Sequence, residues 1–460
     1  MSLNIVVMAA GKGTRMKSGL PKVLHKLAGR ALLQHVLGNT AALDADARIV
    51  ITGHGAEQVE AAVGGEGLRF VRQEPQLGTG HAIQQTVPAL VAGGTTLILS
   101  GDTPLISTAT TRALVEACGG DKLVLLTIEY ADPTGYGRIV RGGDGGEQIK
   151  AIVEHKDASD AQRRLRECYT GIMAAPTEAL KRWVGQLNNN NAQGEYYLTD
   201  IVAMAVAEGV SVVGVKTQDE TEVLGVNSPS QLAQLERRFQ LVQAETLMTA
   251  GVRLADPSRF DLRGTLSCGK DVEIDVNCVF EGHVTLGDGV RIGANCVIRN
   301  ATIGANARIH EFTHIDGEAA GASVGEGALI GPFARLRPGA QLGAEVHIGN
   351  FVEVKNSTLA KGAKANHLAY LGDATVGERV NYGAGSITAN YDGANKHRTT
   401  IGADVHVGSN CVLVAPVTLG DGATIGGGST ITKDVAPGQL AVARGRQTVI
   451  SGWSRPRKGK

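Results

Sequence analysis

The stretch from Val324 to Val354 restricts the choice of fold more than any other part of the chain. Aliphatic residues recur there at every sixth position: Val324, Ile330, Leu336, Leu342, Ile348 and Val354. Gly follows four of them, at Gly325, Gly331, Gly343 and Gly349. A period of six fits neither an α-helix, with about 3.6 residues per turn, nor a flat strand of period two. It predicts a left-handed parallel β-helix in which each hexapeptide forms one side of a triangular coil. The aliphatic residue points inward and small residues turn the corners. A flexible Gly-rich linker would have no reason to hold six aliphatics in phase.

The phase extends on both sides. Leu286, Ile292 and Ile298 keep step, then a slip of one leads to Ile303, Ile309 and Ile315. Beyond Val354 it slips to Leu359, resumes at Val376 and Tyr382 and reaches Ile387. Residues 388–400 then interrupt it, and the coils resume at Ile401, Val407, Leu413, Leu419, Ile425 and Ile431. Insertions in a solenoid map to loops, often on its binding face. This one is rich in Asn, Lys and Arg, which packing alone does not require.

The first half reads differently. Asn4–Ala10 is continuously apolar, as in a buried parallel strand, and is followed by Gly11-Lys12-Gly13-Thr14-Arg15-Met16 and Leu20-Pro21-Lys22. A Gly-rich loop after a first strand lets backbone N–H groups approach phosphate, with Lys and Arg supplying charge. The spacing is neither a Walker loop nor a GxGxxG dinucleotide motif. Helices are expected at Leu32–Thr40, Ala56–Val63 and Thr79–Val91, and strands at Arg48–Thr52, Thr96–Ser100 and Leu123–Ile128. Ligands of such α/β sheets sit at the carboxyl ends of strands. Gln73, Gly78 and Thr79 fall in one loop of that kind, where amides could read a base edge. Asp102 follows another strand, placed to hold Mg²⁺ beside a phosphate loop; capping of the turn before Pro104 is the plainer role.

Ser228-Pro229 opens a helix by N-cap and early-Pro logic, running over Gln231–Ala250 to Gly251. The chain therefore divides into an α/β domain (1–228), a connecting helix (229–251), a β-helix (252–437) and a basic tail (438–460). Lys+Arg and Asp+Glu are both 45, so no overall field favours nucleic acid or an anionic membrane. Six widely spaced cysteines without a CxxC pair argue against zinc or a disulfide framework and fit a reducing compartment. No basic n-region precedes the first apolar run, and the most membrane-like stretch, Leu198–Val215, is broken by Asp200 and Glu208. A cytoplasmic protein is expected.

The string from Ala9 to Lys22 resembles the signature of sugar-1-phosphate nucleotidyltransferases, with a Rossmann-like α/β fold. Gly135-Tyr136-Gly137-Arg138-Ile139, Ile152-Val153-Glu154-His155-Lys156-Asp157 and Gly194-Glu195-Tyr196-Tyr197-Leu198-Thr199-Asp200 narrow the likeness. They resemble blocks of the bacterial bifunctional N-acetylglucosamine-1-phosphate uridyltransferases/glucosamine-1-phosphate N-acetyltransferases, and the resemblance runs from Asn4 to Trp453. It implies that Ala9, Ala10, Gly11, Gly13 and Lys22 meet the phosphates of UTP, and that Gln73, Gly78 and Thr79 hold uridine. Gly137, Glu154 and Tyr169 would meet the sugar, Tyr169 standing where the family often carries Asn. Asp102 and Asn227 would hold Mg²⁺. Lys22 would neutralise the reacting phosphates and Arg15 the departing pyrophosphate.

In the second half the resemblance is to hexapeptide acyltransferases, which work as trimers with acyl-CoA between neighbouring helices. It makes His367 the base, since an imidazole titrating near neutrality suits that task, with Glu353 orienting it. Arg337, Lys355, Tyr370, Asn381 and Lys396 would hold the amino-sugar phosphate. Asn390, which could also touch the tetrahedral intermediate, would line the acetyl-CoA site with Tyr391, Ser409, Gly427 and Arg444. The implied substrates are glucosamine-1-phosphate, acetyl-CoA, N-acetylglucosamine-1-phosphate and UTP, in a homotrimer without nucleic-acid or membrane partners. Two other readings stay open: a monofunctional nucleotidyltransferase with a structural or regulatory β-helix, and a non-catalytic scaffold.

Overall fold

In the computed structural model, which describes residues 2–65, 67–142, 148–191 and 193–458, the first strand is Leu3–Met8. Its apolar run is buried because it lies inside a nine-stranded sheet, paired in parallel with Ala47–Thr52 on one side and Thr95–Ser100 on the other. Leu68–Arg72 extends the first side. Beyond Thr95–Ser100 the order continues with Glu167–Pro176, Leu123–Glu129 and Val212–Lys216, of which only Glu167–Pro176 runs antiparallel. Arg138–Arg141 and Ile149–Val153 pair as a hairpin beside Glu167–Pro176.

Alternate residues of the strands supply two cores. Ile5, Val7, Leu97 and Leu99 pack with Leu33, Val36, Val59 and Leu114 from helices on one face. Val6, Ile49, Ile51 and Ile98 pack with Ile83, Leu180, Trp183 and Ile201 from helices on the other. The result is the helix–sheet–helix sandwich expected of an α/β domain. The helix expected over Thr79–Val91 stops at Thr86 and continues as a 3-10 turn, Val87–Ala89. Pro88 is the cause, since it has no N–H to carry the α-helical ladder onward.

Pro229–Thr249 is a single helix. Ser228 Oγ caps it by accepting the Gln231 N–H at 3.2 Å. The chain divides within it, into units Met1–Arg238 and Phe239–Lys460. In the first unit Glu236 accepts the Ala28 N–H at 2.7 Å. In the second, buried Gln240 bonds both the N–H (2.8 Å) and the C=O (2.9 Å) of Leu262.

The second unit is a parallel β-helix of hexapeptide coils. Face one stacks Ile292, Ile309, Ile330 and Ile348. Face two stacks Ile298, Ile315, Leu336 and Val354. Face three stacks Ile303, Val324, Leu342 and Leu359. The six aliphatics from Val324 to Val354 thus visit the three faces in turn, twice, and all are buried in one core. Face one is an eleven-stranded sheet; faces two and three merge into one of sixteen, because Phe260–Cys268, Cys278–Leu286 and Val297–Ile303 run unbroken round the first corner.

One inward position differs from expectation. Ile387 is 39% exposed, and Thr388, six residues after Tyr382, points inward at 1%. Its Oγ1 accepts the Gly372 N–H at 2.8 Å and donates to the Gly372 carbonyl at 2.9 Å. The hexad is unbroken, but its aliphatic is replaced by a hydroxyl that saturates a buried peptide. The interruption itself narrows to residues 390–398, between strands Ile387–Ala389 and Thr399–Ile401.

Candidate functional site

Read from Leu68–Arg72 to Thr95–Ser100, the parallel strands stand in chain order 3-2-1-4. Connections on either side of the first strand leave in opposite directions, which opens a crevice at the strand ends. A cleft of about 320 Å³ lies there, lined by Ala9, Ala10, Gly11, Lys22, Gln73, Gly78, Thr79 and Asp102. Gly13 adopts φ 58°, and a Cβ on it would sit 2.6 Å from Lys22 Cβ. Glycine there is what lets the loop fold against Lys22. Gly78 adopts φ 109°, and a Cβ would press on Tyr196 O at 2.6 Å. Gln73, 4% exposed, donates to Gly78 O at 2.9 Å, so the amide that could read a base is fixed by the loop it supports.

Lys22 forms an ion pair with Asp102 Oδ2 and donates to Asn227 Oδ1 at 3.1 Å. Ser100 Oγ holds the other Asp102 oxygen at 2.8 Å, and Val226 N–H bonds Asp102 O at 2.9 Å. Two hard oxygen donors, from Asp102 and Asn227, therefore converge on one cation. That donor set fits Mg²⁺, which takes one or two protein oxygens and fills its octahedron with water and phosphate. Among the described residues no group of three or more His, Cys, Asp or Glu gathers as a fuller metal cage. Arg15 is exposed on the same loop.

A second cleft of about 250 Å³ shares Met8 and Thr79 with the first and is lined by Gly137, Glu154, Tyr169 and Thr199. Burial raises the Glu154 carboxyl above its ordinary range, against the Thr199 hydroxyl donating at 3.3 Å. The Tyr169 hydroxyl is buried and has no hydrogen-bond partner, a feature expected where a ligand group completes the site.

On the β-helix, Asn350, His367, Ala384, Ser409 and Gly427 occupy successive coils at the corner after face one. Main-chain bonds tie them in sequence: Leu368 N–H to Asn350 O (3.0 Å), Gly385 to His367 (3.3 Å), Asn410 to Ala384 (2.8 Å) and Gly428 to Ser409 (2.8 Å). The exposed His367 ring donates from Nδ1 to Asn350 Oδ1 at 2.9 Å, which leaves Nε2 as the acceptor facing solvent. Arg444 reaches back from the tail to Gly427 O at 2.7 Å. A Cβ on Gly427 would lie 3.3 Å from Ser409 O, so an Ala would fit there with little adjustment.

The next residue of each lower coil turns this corner in the left-handed region. Phe312, Phe333, Phe351 and Leu368, with φ from 51° to 57°, form an exposed apolar ladder. Its rings stack at 4.9 and 5.4 Å.

Across face two, Arg337, Lys355 and Lys396 crowd together. The neighbouring Lys396 ammonium, then desolvation and Arg337, push the Lys355 ammonium below its ordinary value. Glu353 pairs with Arg337 at 2.8 Å and Asp373 tempers Lys355, yet positive charge remains in excess here, which suits a phosphate or similar group. Asn390 joins this cluster by bonding Asp373, whose other oxygen takes Asn356. Asp392 fixes the loop that carries Lys396: it accepts the Asn395 and Ala394 N–H groups (2.6 and 2.8 Å) and pairs with His397 at 2.7 Å. Those bonds hold its carboxyl far below the usual range.

Family models match a MobA-like NTP transferase domain over residues 5–168 and the bacterial transferase hexapeptide over residues 267–300, 321–356 and 398–433. "Bifunctional protein GlmU" of Methylibium petroleiphilum is 76% identical, covering 99% of both chains. That of Acidovorax sp. is 67% identical over 99% of both, and that of Aromatoleum aromaticum 56% identical over 100% of this chain and 99% of the relative.

The chain belongs to the GlmU family.

It is thus a bifunctional enzyme, with one transferase in each half. Within this GlmU-family chain, the structure brings Lys22, Asp102 and Asn227 together, and likewise Gly137, Glu154 and Tyr169. It sets Ser409, Gly427 and Arg444 in line with His367. It separates others: Asn390 and Tyr391 follow face two, at a different corner from Ser409 and Gly427, and Asn381 lies on face one beside His406 at 3.3 Å. Glu353 does not orient His367. Its carboxylate is taken by Arg337 (2.8 Å) and Arg335 (3.4 Å), and Asn350 holds the ring instead. Asn350 precedes His367 by 17 residues, one coil, a spacing that could have pointed to it. Among the described residues, no helix is long and apolar enough to cross a membrane.

Proposed function

We propose that this chain makes UDP-N-acetylglucosamine from glucosamine-1-phosphate in two steps. In the second half, the amino group of glucosamine-1-phosphate attacks the thioester carbonyl of acetyl-CoA. His367 Nε2 takes the proton the amine loses, and CoA leaves as its thiol. Asn350 keeps the ring in the tautomer that leaves Nε2 free. Arg337, Lys355 and Lys396 neutralise the sugar phosphate, while the Ser409–Gly427–Arg444 column accepts acetyl-CoA.

In the first half, a phosphate oxygen of N-acetylglucosamine-1-phosphate attacks the α-phosphorus of UTP in line, and pyrophosphate departs. Positioning and charge neutralisation carry such a reaction. Gln73, Gly78 and Thr79 hold uridine, Glu154 and Tyr169 the sugar, and Lys22 and Arg15 the phosphates. Asp102 and Asn227 would hold Mg²⁺, which would supply further neutralisation of the polyphosphate.

Acetyl-CoA residues at two different corners of one coil stack, Tyr391 at one and Ser409 at the other, favour a site completed between copies. The exposed Phe312–Leu368 ladder is the sort of apolar surface that a second copy covers. Both support association between copies, which we read as a homotrimer.

The observation that carries the reading is His367, with its Nδ1 occupied by Asn350, on the same solenoid as the Arg337–Lys355–Lys396 cluster; a purely structural β-helix needs neither. The test follows free thiol and pyrophosphate separately, with all substrates and Mg²⁺ supplied. His367→Ala should abolish thiol release and spare pyrophosphate release from supplied N-acetylglucosamine-1-phosphate, and Asp102→Ala should do the reverse. Pyrophosphate without thiol in the unaltered protein would leave a nucleotidyltransferase on an inert β-helix.

A further inference from the structure

The Lys22 ammonium stands where a metal would be held. Its Nζ is bonded to Asp102 Oδ2 and to Asn227 Oδ1, the two oxygens assigned above to Mg²⁺. Both partners of the ion pair are largely shielded, with side chains 15% and 14% exposed. Ser100 donates to the remaining oxygen of Asp102 and fixes the carboxylate so that Oδ2 faces the Lys22 ammonium. One carboxylate charge cannot serve an ammonium and a divalent ion at the same point.

From this geometry we infer that Lys22 is an internal counter-ion that keeps the free enzyme from binding metal alone, and that metal and nucleotide load together by exchanging it. This rests on the reading of Asp102 and Asn227 as the metal-holding residues. A bare divalent cation must expel Lys22 from Asp102, and Glu195, which also lines the cleft, is an exposed carboxylate and so a weaker partner for the displaced ammonium. When the polyphosphate of a nucleoside triphosphate enters, Lys22 gains a new partner beside Gly11 and Gly13, and Asp102 is released. Nucleotide therefore raises metal affinity, and by reciprocity metal raises nucleotide affinity by the same factor. The exchange also delivers Lys22 to the phosphates at the moment the site is filled, so a metal-loaded but nucleotide-free enzyme is scarcely populated.

The test is Mn²⁺ binding to the full chain without sugar phosphate, read without UTP from the electron paramagnetic resonance signal of the free ion, and with UTP from the water proton relaxation enhancement that enzyme-bound Mn²⁺ gives over Mn²⁺–UTP in solution. Lys22→Gln should tighten Mn²⁺ binding to the nucleotide-free enzyme by about tenfold or more, and should shrink the enhancement that UTP gives to the unaltered protein. Lys22→Arg keeps the charge and should keep the weak binding. Circular dichroism checks that each variant is folded. Equal or weaker Mn²⁺ binding in Lys22→Gln, or equal tightening in Lys22→Arg, overturns the exchange. Asp102→Ala separates the two levels. Mn²⁺ binding that survives it in the presence of UTP refutes the metal reading of Asp102 itself. Loss of binding there, with Lys22→Gln unchanged from the parent, refutes only the exchange.

Discussion

Replacing Asn350 by Ala removes one hydrogen bond and little else. Asn350 Oδ1 accepts the His367 Nδ1–H at 2.9 Å; the pair sits on an exposed corner, where a neutral hydrogen bond is worth about 1 kcal/mol net. With a tenfold change in rate equal to about 1.4 kcal/mol, losing the orientation of the ring should slow acetyl transfer about fivefold in kcat. KM for glucosamine-1-phosphate should hold, because the phosphate-binding cations lie elsewhere. Thiol release from acetyl-CoA measures this, and pyrophosphate release in the same preparation is the internal control, since that activity resides in the other unit. Asn350→Asp distinguishes orientation from packing. A carboxylate oxygen still accepts the Nδ1–H, so this variant should keep most of the kcat that Asn350→Ala loses. The reasoning fails if Asn350→Ala leaves kcat unchanged. It also fails if the rate drops a thousandfold, which would mean that Asn350 touches the reacting atoms.

Three further perturbations follow. Thr388→Val leaves the buried Gly372 peptide without its partner on both sides, at a cost of about 1–3 kcal/mol, to be read as a lower unfolding midpoint of the β-helix in denaturant. Glu154→Gln removes a carboxylate whose charge is penalised by burial. A raised folded-state value means that stability falls as pH rises through it, so the variant should melt higher than the parent at neutral pH, converge with it in acid, and bind sugar phosphate less well. Lys396→Ala lifts the main cause of the depressed Lys355 value. The alkaline limb of KM for glucosamine-1-phosphate, where Lys355 loses its proton, should therefore move to higher pH even as KM itself rises.

How far the sequence discloses the molecule depends on what kind of signal each part carries. Val324–Val354 announces its fold because a solenoid repeats one packing solution, and six aliphatics in phase record it directly. The same logic stumbles at Thr388, where the inward position is filled by a hydroxyl that satisfies a peptide, a need invisible to a hydrophobic pattern. The sites divide along similar lines. Lys22, Asp102 and Asn227 lie in recognisable motifs at strand ends or loops, and the sheet order converts their separation in sequence into contact. Asn350 and Glu353 show the limit. Both are polar and close to His367 in the coil stack, and only side-chain geometry reveals that Arg337 and Arg335 claim Glu353 while Asn350 takes the imidazole. Pro88, by contrast, acts locally, and its shortening of the third helix can be anticipated from the sequence.

The β-helix also fixes the units in which this protein can change length. Phe260 pairs with Cys278 and Val279 with Val297, a turn of 18 residues, and these strands pair only with those of adjoining coils. Excising residues 278–295 would bring matching backbones together and shorten the prism by about 4.8 Å, with the His367 corner still supported by the coils directly beneath it. Losing one residue from within a strand of the same turn would push aliphatics outward and polar neighbours inward along that face. Heritable variation in such a domain is therefore granular along its faces: whole turns can be gained or dropped as interchangeable parts, whereas a turn of another length must place its difference at a corner, as the 17 residues from Ile292 to Ile309 and the 21 from Ile309 to Ile330 do.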